Sequence, residues 1–364
     1  TYSTAGLFRP GCFTATTVWP CGSFPPEGAA GTLASANPCA NLGYGGLLKM
    51  LDRAPVREIR DFYCDSRQWD AYQPREGDVV IATAPKVGTT WTQQIVNLLI
   101  FQSIEPRPLT MLSPWFDCRI QMPPEMMVQL IEGQQHRRFL KSHLPLDGLP
   151  IYGETRYIHV ARGGRDACMS FLNHINGYND NVWDRLDAVG LNDPQIAMAK
   201  PRPPRTAREF FHHWITPTPT NASELMSQSF FEIERSYWKE RARSNLLLVH
   251  YNDLKADLRG EMGRIAAFLD IDVDDDLWPG LVNAATFETM QRDGEALLPG
   301  MEIGFEEGVK TFLNKGTNNR WQGVFTEDDN ALYEARIKAE LSPGLISWLE
   351  AGRLSAGDPR SLPD

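Results

Sequence analysis

The sequence predicts an α/β fold: three layers around a parallel central sheet, with a phosphate-loop-like turn after its leading strand. Three observations carry this. Short β-branched apolar runs alternate with segments of helical period. The spacing between those runs is long enough for a helix each time, as parallel strands covered on both faces require. Turns bearing Gly, Lys or Arg follow the strand candidates, where ligands bind in such sheets.

In chain order, Asp78-Val-Val-Ile-Ala-Thr83 reads as a strand. Thr89 to Phe101 follows as a helix, with Trp91, Ile95, Leu98 and Leu99 at helical spacing. Arg138–Ser142 and Arg156–Ala161 are further strands, and Arg165–Ile175 is a helix. Thr206–Ile215, Phe230–Arg243 and Leu258–Leu269 read as helices, with the strand Leu246–His250 between the last two.

The flanks differ in composition. Across the first 50 of 364 residues only Arg9, Glu27 and Lys49 are charged, and Gly, Pro, Ser and Thr dominate. Residues 1–48 are therefore expected to be a poorly ordered leader, without the basic start and apolar run of a signal peptide. The domain proper is expected over 49–345, and a C-terminal tail over 346–364, polar and Pro-containing from Gly352 onward. With 42% hydrophobic and 23% charged residues the body has a globular composition. The net charge of −10 argues against nucleic acid as a partner and requires any anionic ligand to sit in a local basic pocket. No apolar stretch approaches a membrane span. The six cysteines (Cys12, Cys21, Cys39, Cys64, Cys118, Cys168) lack metal-ligand spacing and read as reduced thiols of a cytoplasmic protein.

Four segments bear chemistry. Ala84-Pro-Lys-Val-Gly-Thr-Thr-Trp91 joins the leading strand to its helix. There Gly88 lets the backbone approach a ligand, Thr89 and Thr90 present hydroxyls and free N–H groups, and Lys86 adds charge, which together make an anion cradle. It is not a Walker A loop, because Lys precedes the Gly. Phe139-Leu-Lys-Ser-His-Leu-Pro145 places Lys141 and His143 at a strand end, as a clamp and a general base would be. Arg162 ends another strand, positioned to grip a phosphate, with Ser170 about two helical turns beyond. Phe312-Leu-Asn-Lys-Gly-Thr317, followed by Arg320 and Trp321, adds a second Lys-Gly turn.

In this order the four segments resemble the cytosolic sulfotransferases, which use 3′-phosphoadenosine 5′-phosphosulfate (PAPS), in their bacterial-type form. The first resembles the family's PKSGTTW loop, the second its KTHLP segment, and Leu248–Asp257 its FLFYEDLKED stretch. Lys315-Gly316 with Trp321 and Phe325-Thr326 resembles RKGxxGDWxxxFT. The resemblance implies that Lys86, Gly88, Thr89 and Thr90 cradle the 5′-phosphosulfate. It implies that Trp91, Phe231 and Phe287, with Thr286, form the adenine slot, and that Arg162, Ser170, Lys315 and Gly316 hold the 3′-phosphate. It makes His143 the catalytic base, assisted by Lys86 and Lys141, and Pro114-Trp115-Phe116-Asp117 an acceptor-pocket segment. It implies a small-molecule alcohol, phenol or amine as acceptor, and no metal.

The chain departs from the family pattern in three places. Asn314 stands where Arg commonly precedes Lys-Gly, with Arg320 nearby as a possible replacement. Val87 replaces a common Ser. The KxxxTVxxxE dimer signature keeps only Thr326, since Gln322, Glu327 and Ala331 occupy the other positions, which puts the family's dimer in doubt. Two further classes remain open at this point: a catalytically inactive PAP- or nucleotide-binding module, and a kinase with a variant phosphate loop.

Overall fold

The computed structural model describes residues 51–216, 225 and 228–364. The expected leader, with Cys12, Cys21 and Cys39, lies outside them. Six strands occur among the described residues: β1 Leu51–Arg53, β2 Val79–Ala82, β3 Phe139–Ser142, β4 Ile151–Tyr152, β5 Arg156–Ala161 and β6 Leu246–His250. Four of these form one parallel sheet in the order β3-β2-β5-β6. In register, Val80 faces Leu140 on one side and Tyr157 on the other, and Ile158 faces Leu247. Every residue of β2 and of β6 is buried. Successive strand side chains point to opposite faces, so such continuous burial means that helices cover both. The expected α/β architecture, a parallel central sheet flanked by helices, is the one found.

Helices occupy the expected intervals: Thr89–Phe101, Gly164–Asn176, Ala207–Ile215, Phe230–Lys239 and Leu258–Phe268. Local chemistry sets their ends. Ser229 and Glu232 form a reciprocal capping box that starts the Phe230 helix. Asp257 accepts from Gly260 N at the start of the Leu258 helix. The Phe230 helix stops at Lys239, short of the expected Arg243, and a turn then feeds β6.

At the amino end of the sheet, Asp78 accepts from Tyr72 Oη (2.5 Å), Arg75 N (2.8 Å) and the Arg138 guanidinium, which is fully buried. Removing one partner of such a buried pair costs about 3–5 kcal/mol, so this cluster pins β2 to β3.

Two features differ from the sequence expectation. β1 and β4 pair antiparallel, Leu51 with Tyr152 and Arg53 with Ile151, a ribbon too short to leave a periodic trace. The domain end expected at 345 falls inside the helix Pro343–Ala351, whose Trp348 is 1% exposed. The residues beyond it are docked. Asp253 accepts from Arg353 N and Leu354 N, His250 Nε2 donates to Leu349 O at 3.0 Å, and Trp238 Nε1 donates to Asp364 Oδ1 at 3.0 Å. Residues 352–364 are polar in composition, but Trp348 and Leu349 just before them are buried and anchor the end of the chain.

Candidate active site

The carboxyl ends of the four parallel strands open onto one cavity of 280 Å³. β2 has β3 on one side and β5 on the other, so the chain leaves its carboxyl end at the switch point of the sheet. The cavity brings together Lys86, Gly88, Thr89, Thr90, Trp91, Lys141, His143, Arg162, Ser170, Phe287, Lys315 and Gly316. Among the described residues no Asp or Glu lines it.

From β2 the backbone turns through Lys86, at φ 66°, and Gly88, at φ 120°, into the Thr89 helix. A Cβ on Gly88 would lie 3.0 Å from the Tyr251 ring, so close approach and backbone angle both demand glycine there. Thr83 and Thr89 share a hydroxyl–hydroxyl bond of 2.6 Å that ties strand end to helix start. Burial, with Lys141, Arg162 and Arg320 nearby, lowers the Lys86 ammonium to about 7.

From β3 come Lys141 and His143. His143 is 8% exposed, and its Nδ1 donates to Thr83 O at 2.8 Å. A carbonyl can only accept, so the ring proton sits on Nδ1 and the Nε2 lone pair is left available. Burial, then Lys141 and Lys86, hold this imidazole well below its ordinary range and therefore neutral at pH 7. Residues 114–116 run alongside β3, with Lys141 N bonded to Pro114 O and Phe116 N to Lys141 O. Trp115 thereby packs edge-on to His143 at 4.7 Å, and Lys141 Nζ lies 4.7 Å over its face. Asp117 accepts from Trp115 Nε1 (2.6 Å), Trp69 Nε1 (2.9 Å) and Ser142 Oγ (2.5 Å), and burial pushes its carboxyl up to about 6.

From β5 comes Arg162, 4.2 Å over the Tyr251 ring and bonded to Thr317 O (2.9 Å) and Asn318 Oδ1 (2.7 Å). The Lys315–Arg320 loop is fastened to the end of β6: Tyr251 Oη and Lys255 Nζ both donate to Gly316 O. Gly316 has φ 62°, and a Cβ there would meet Phe287 at 2.7 Å. Arg320 joins this cluster, bonding to Asn314 Oδ1 (3.3 Å) and, with the Asn173 amide turned, to its oxygen.

Two expected slot residues are elsewhere. Phe231 is 1% exposed and packs against Trp214 and Phe230 (5.5 Å each), away from the cavity. Thr286 uses its hydroxyl to cap the helix Phe287–Arg292 and does not line the cavity either. Tyr251 takes the position beside Trp91 instead, edge-on at 5.3 Å, while Trp91 Nε1 is tied to Ala285 O at 2.7 Å.

A sulfotransferase-domain family model matches residues 76–343, more than half of the chain. The chain belongs to the sulfotransferase family. It is 34% identical over 318 residues to a glycolipid sulfotransferase of Mycobacterium bovis, covering 84% of this chain and 96% of that one. It is 24% identical to mouse sulfotransferase 1B1, over 81% and 92% of the two chains. Among solved structures it resembles a retinol dehydratase in complex with androsterone and inactive cofactor PAP (TM-score 0.57, 19% identity, 76% and 84% covered) and mouse sulfotransferase SULT7A1 complexed with PAP (TM-score 0.55, 17% identity, 76% and 89% covered). The chain is thus a sulfotransferase enzyme.

Besides Tyr251, sequence reasoning about this sulfotransferase missed His174. It enters the cavity one helical turn after Ser170, and the i, i+4 spacing on one helix face was its available signal. Tyr251 had a signal too, as the residue that immediately follows β6.

Proposed function

We propose that this enzyme transfers the sulfuryl group of PAPS to a hydroxyl of a small-molecule acceptor by in-line displacement, with His143 as general base. The carrying observation is the fixed tautomer of His143, which leaves Nε2 as a proton acceptor inside a cavity whose charged groups, among the described residues, are all cationic. In-line sulfuryl transfer resembles phosphoryl transfer, where catalysis is mainly positioning and charge stabilisation. Lys86 and Lys141 would neutralise charge gathering on the bridging and sulfuryl oxygens. The turn Lys86–Thr90 would cradle the 5′-phosphosulfate at a helix N-terminus. Trp91, Tyr251 and Phe287 would hold the adenine.

Arg162, Ser170, Lys315 and Gly316 would hold the 3′-phosphate, with Arg320 supplying the cation that Asn314 does not. The PAP complexes of structural neighbours support this donor, and the curated relatives include glycolipid sulfotransferases. Among the described residues the lining supplies no carboxylate to pair with a protonated amine, which favours a hydroxyl acceptor over an amine held as its cation.

His143→Ala tests the base. Turnover of PAPS with a phenol or alcohol acceptor should drop by about 10²–10⁴-fold, the range of a positioned base, while PAP affinity stays nearly unchanged. Normal turnover combined with weak PAP binding would make His143 a ligand contact instead.

A further inference from the structure

The cavity holds two histidines of opposite hydrogen-bonding sense. His143 offers a lone pair at Nε2. His174, in the last turn of the helix Gly164–Asn176, has Nδ1 3.3 Å from Lys86 Nζ. With an anionic donor in the cradle Lys86 is an ammonium, which has protons to give and no lone pair. His174 Nδ1 therefore accepts, and the ring proton is on Nε2. That N–H makes no hydrogen bond to any described residue, although the ring lines the cavity. Tyr178 (5.1 Å), Phe305 (5.0 Å) and Phe312 (5.6 Å) pack around the ring and hold its orientation. Both rings line the same cavity as Lys86, so His143 and His174 face one ligand space.

We propose that His174 is a specificity-determining residue: its Nε2–H donates to a second oxygen next to the attacking hydroxyl, and the enzyme prefers 1,2-dioxygenated rings, such as sugar diols, over lone alcohols. This rests on the sulfuryl-transfer reading above and names its acceptor class. The rings of Trp115, Tyr178, Phe305 and Phe312 give an apolar ring faces to lie against. The attacking oxygen bonds to sulfur, and its proton passes to His143 Nε2. The bond from sulfur to the phosphate oxygen breaks, with its electron pair leaving on PAP, and His174 keeps its proton throughout.

The test compares kcat/KM at saturating PAPS for cyclohexane-1,2-diol, 2-methoxycyclohexanol and cyclohexanol. After correction for the diol's two hydroxyls, the wild-type enzyme should favour the first two over cyclohexanol by about 2- to 12-fold, the worth of one neutral hydrogen bond. The methoxy compound separates donation by His174 from acceptance, because its ether oxygen can only accept. His174→Phe, which fills the space without a donor, should erase the preference whatever its effect on absolute rates. His174→Gln, which restores an N–H, should recover part of it. No preference in the wild type, or one that survives in His174→Phe, overturns the proposal. PAP affinity of the same proteins, together with wild-type transfer to a simple phenol, reports separately on the sulfuryl-transfer reading.

Discussion

Donor binding should consume a proton, and Lys86 should be the group that takes it. In the free enzyme burial and the charges of Lys141, Arg162 and Arg320 lower Lys86 to about 7. A bound polyanion supplies the missing counter-charge and returns the ammonium toward the ordinary lysine range near 10.4. The pKa is then higher in the complex than in the free protein, so this contribution to affinity is complete below about pH 7 and is lost as pH rises. From pH 7 to 8.5 the charged fraction of free Lys86 falls from about one half to about 3%, which weakens PAP binding about 15-fold. The phosphate of PAP is already past its second ionisation near pH 6, so ligand charge hardly changes over that range.

Titration calorimetry at pH 7.5 in two buffers of different ionisation enthalpy should show uptake of about three quarters of a proton. Lys86→Met should bind PAP more weakly and lose both the proton uptake and the pH slope. A wild-type affinity flat from pH 7 to 8.5 would show that Lys86 is fully charged before the donor arrives. A slope that persists in Lys86→Met would assign the titration to another group, with Lys141, also lowered by burial, the first to examine.

Two further outcomes follow from the geometry. Arg320→Ala should weaken PAP by about tenfold, within the range of a partly exposed charge-assisted contact, yet leave 5′-AMP, which lacks the 3′-phosphate, unaffected. Adding Asn314→Arg in that background should restore PAP affinity, and equal losses for PAP and 5′-AMP would remove Arg320 from the 3′-phosphate site. Phe231→Ala should cost about 3–5 kcal/mol of stability in denaturant unfolding and spare PAP affinity in the folded fraction, as a core residue must. Phe287→Ala should do the reverse, and interchanged results would place Phe231 back in the adenine slot.

Much of the fold and half of the site are properties of short stretches of chain. The β-branched run at Val79–Ala82 and the helical spacing over the 13 residues Thr89–Phe101 are each local, so periodicity alone exposed them. The Lys86–Trp91 turn, the Lys141–His143 strand end and the Lys315-Gly316 turn were legible for the same reason: glycine, lysine and hydroxyl side chains are required at fixed local offsets. What tertiary structure decided was which distant stretches meet. Phe231 and Phe287 look alike in sequence, but the Phe230 helix turns Phe231 onto Trp214, and the Gly316 turn presses against Phe287. Tyr251 became a cavity residue because β6 ends beside β5 and Arg162 lies over its ring. Asp117 lies in a segment that reads only as acceptor pocket, and His174 has no more than its spacing from Ser170. The first matters because the 114–116 segment pairs with β3, and the second because Lys86, 88 residues away, is bent toward it at positive φ. Local propensity acts over one or two turns of chain, whereas a catalytic cavity is made of contacts between segments tens of residues apart, which only the packed sheet and its helices bring together.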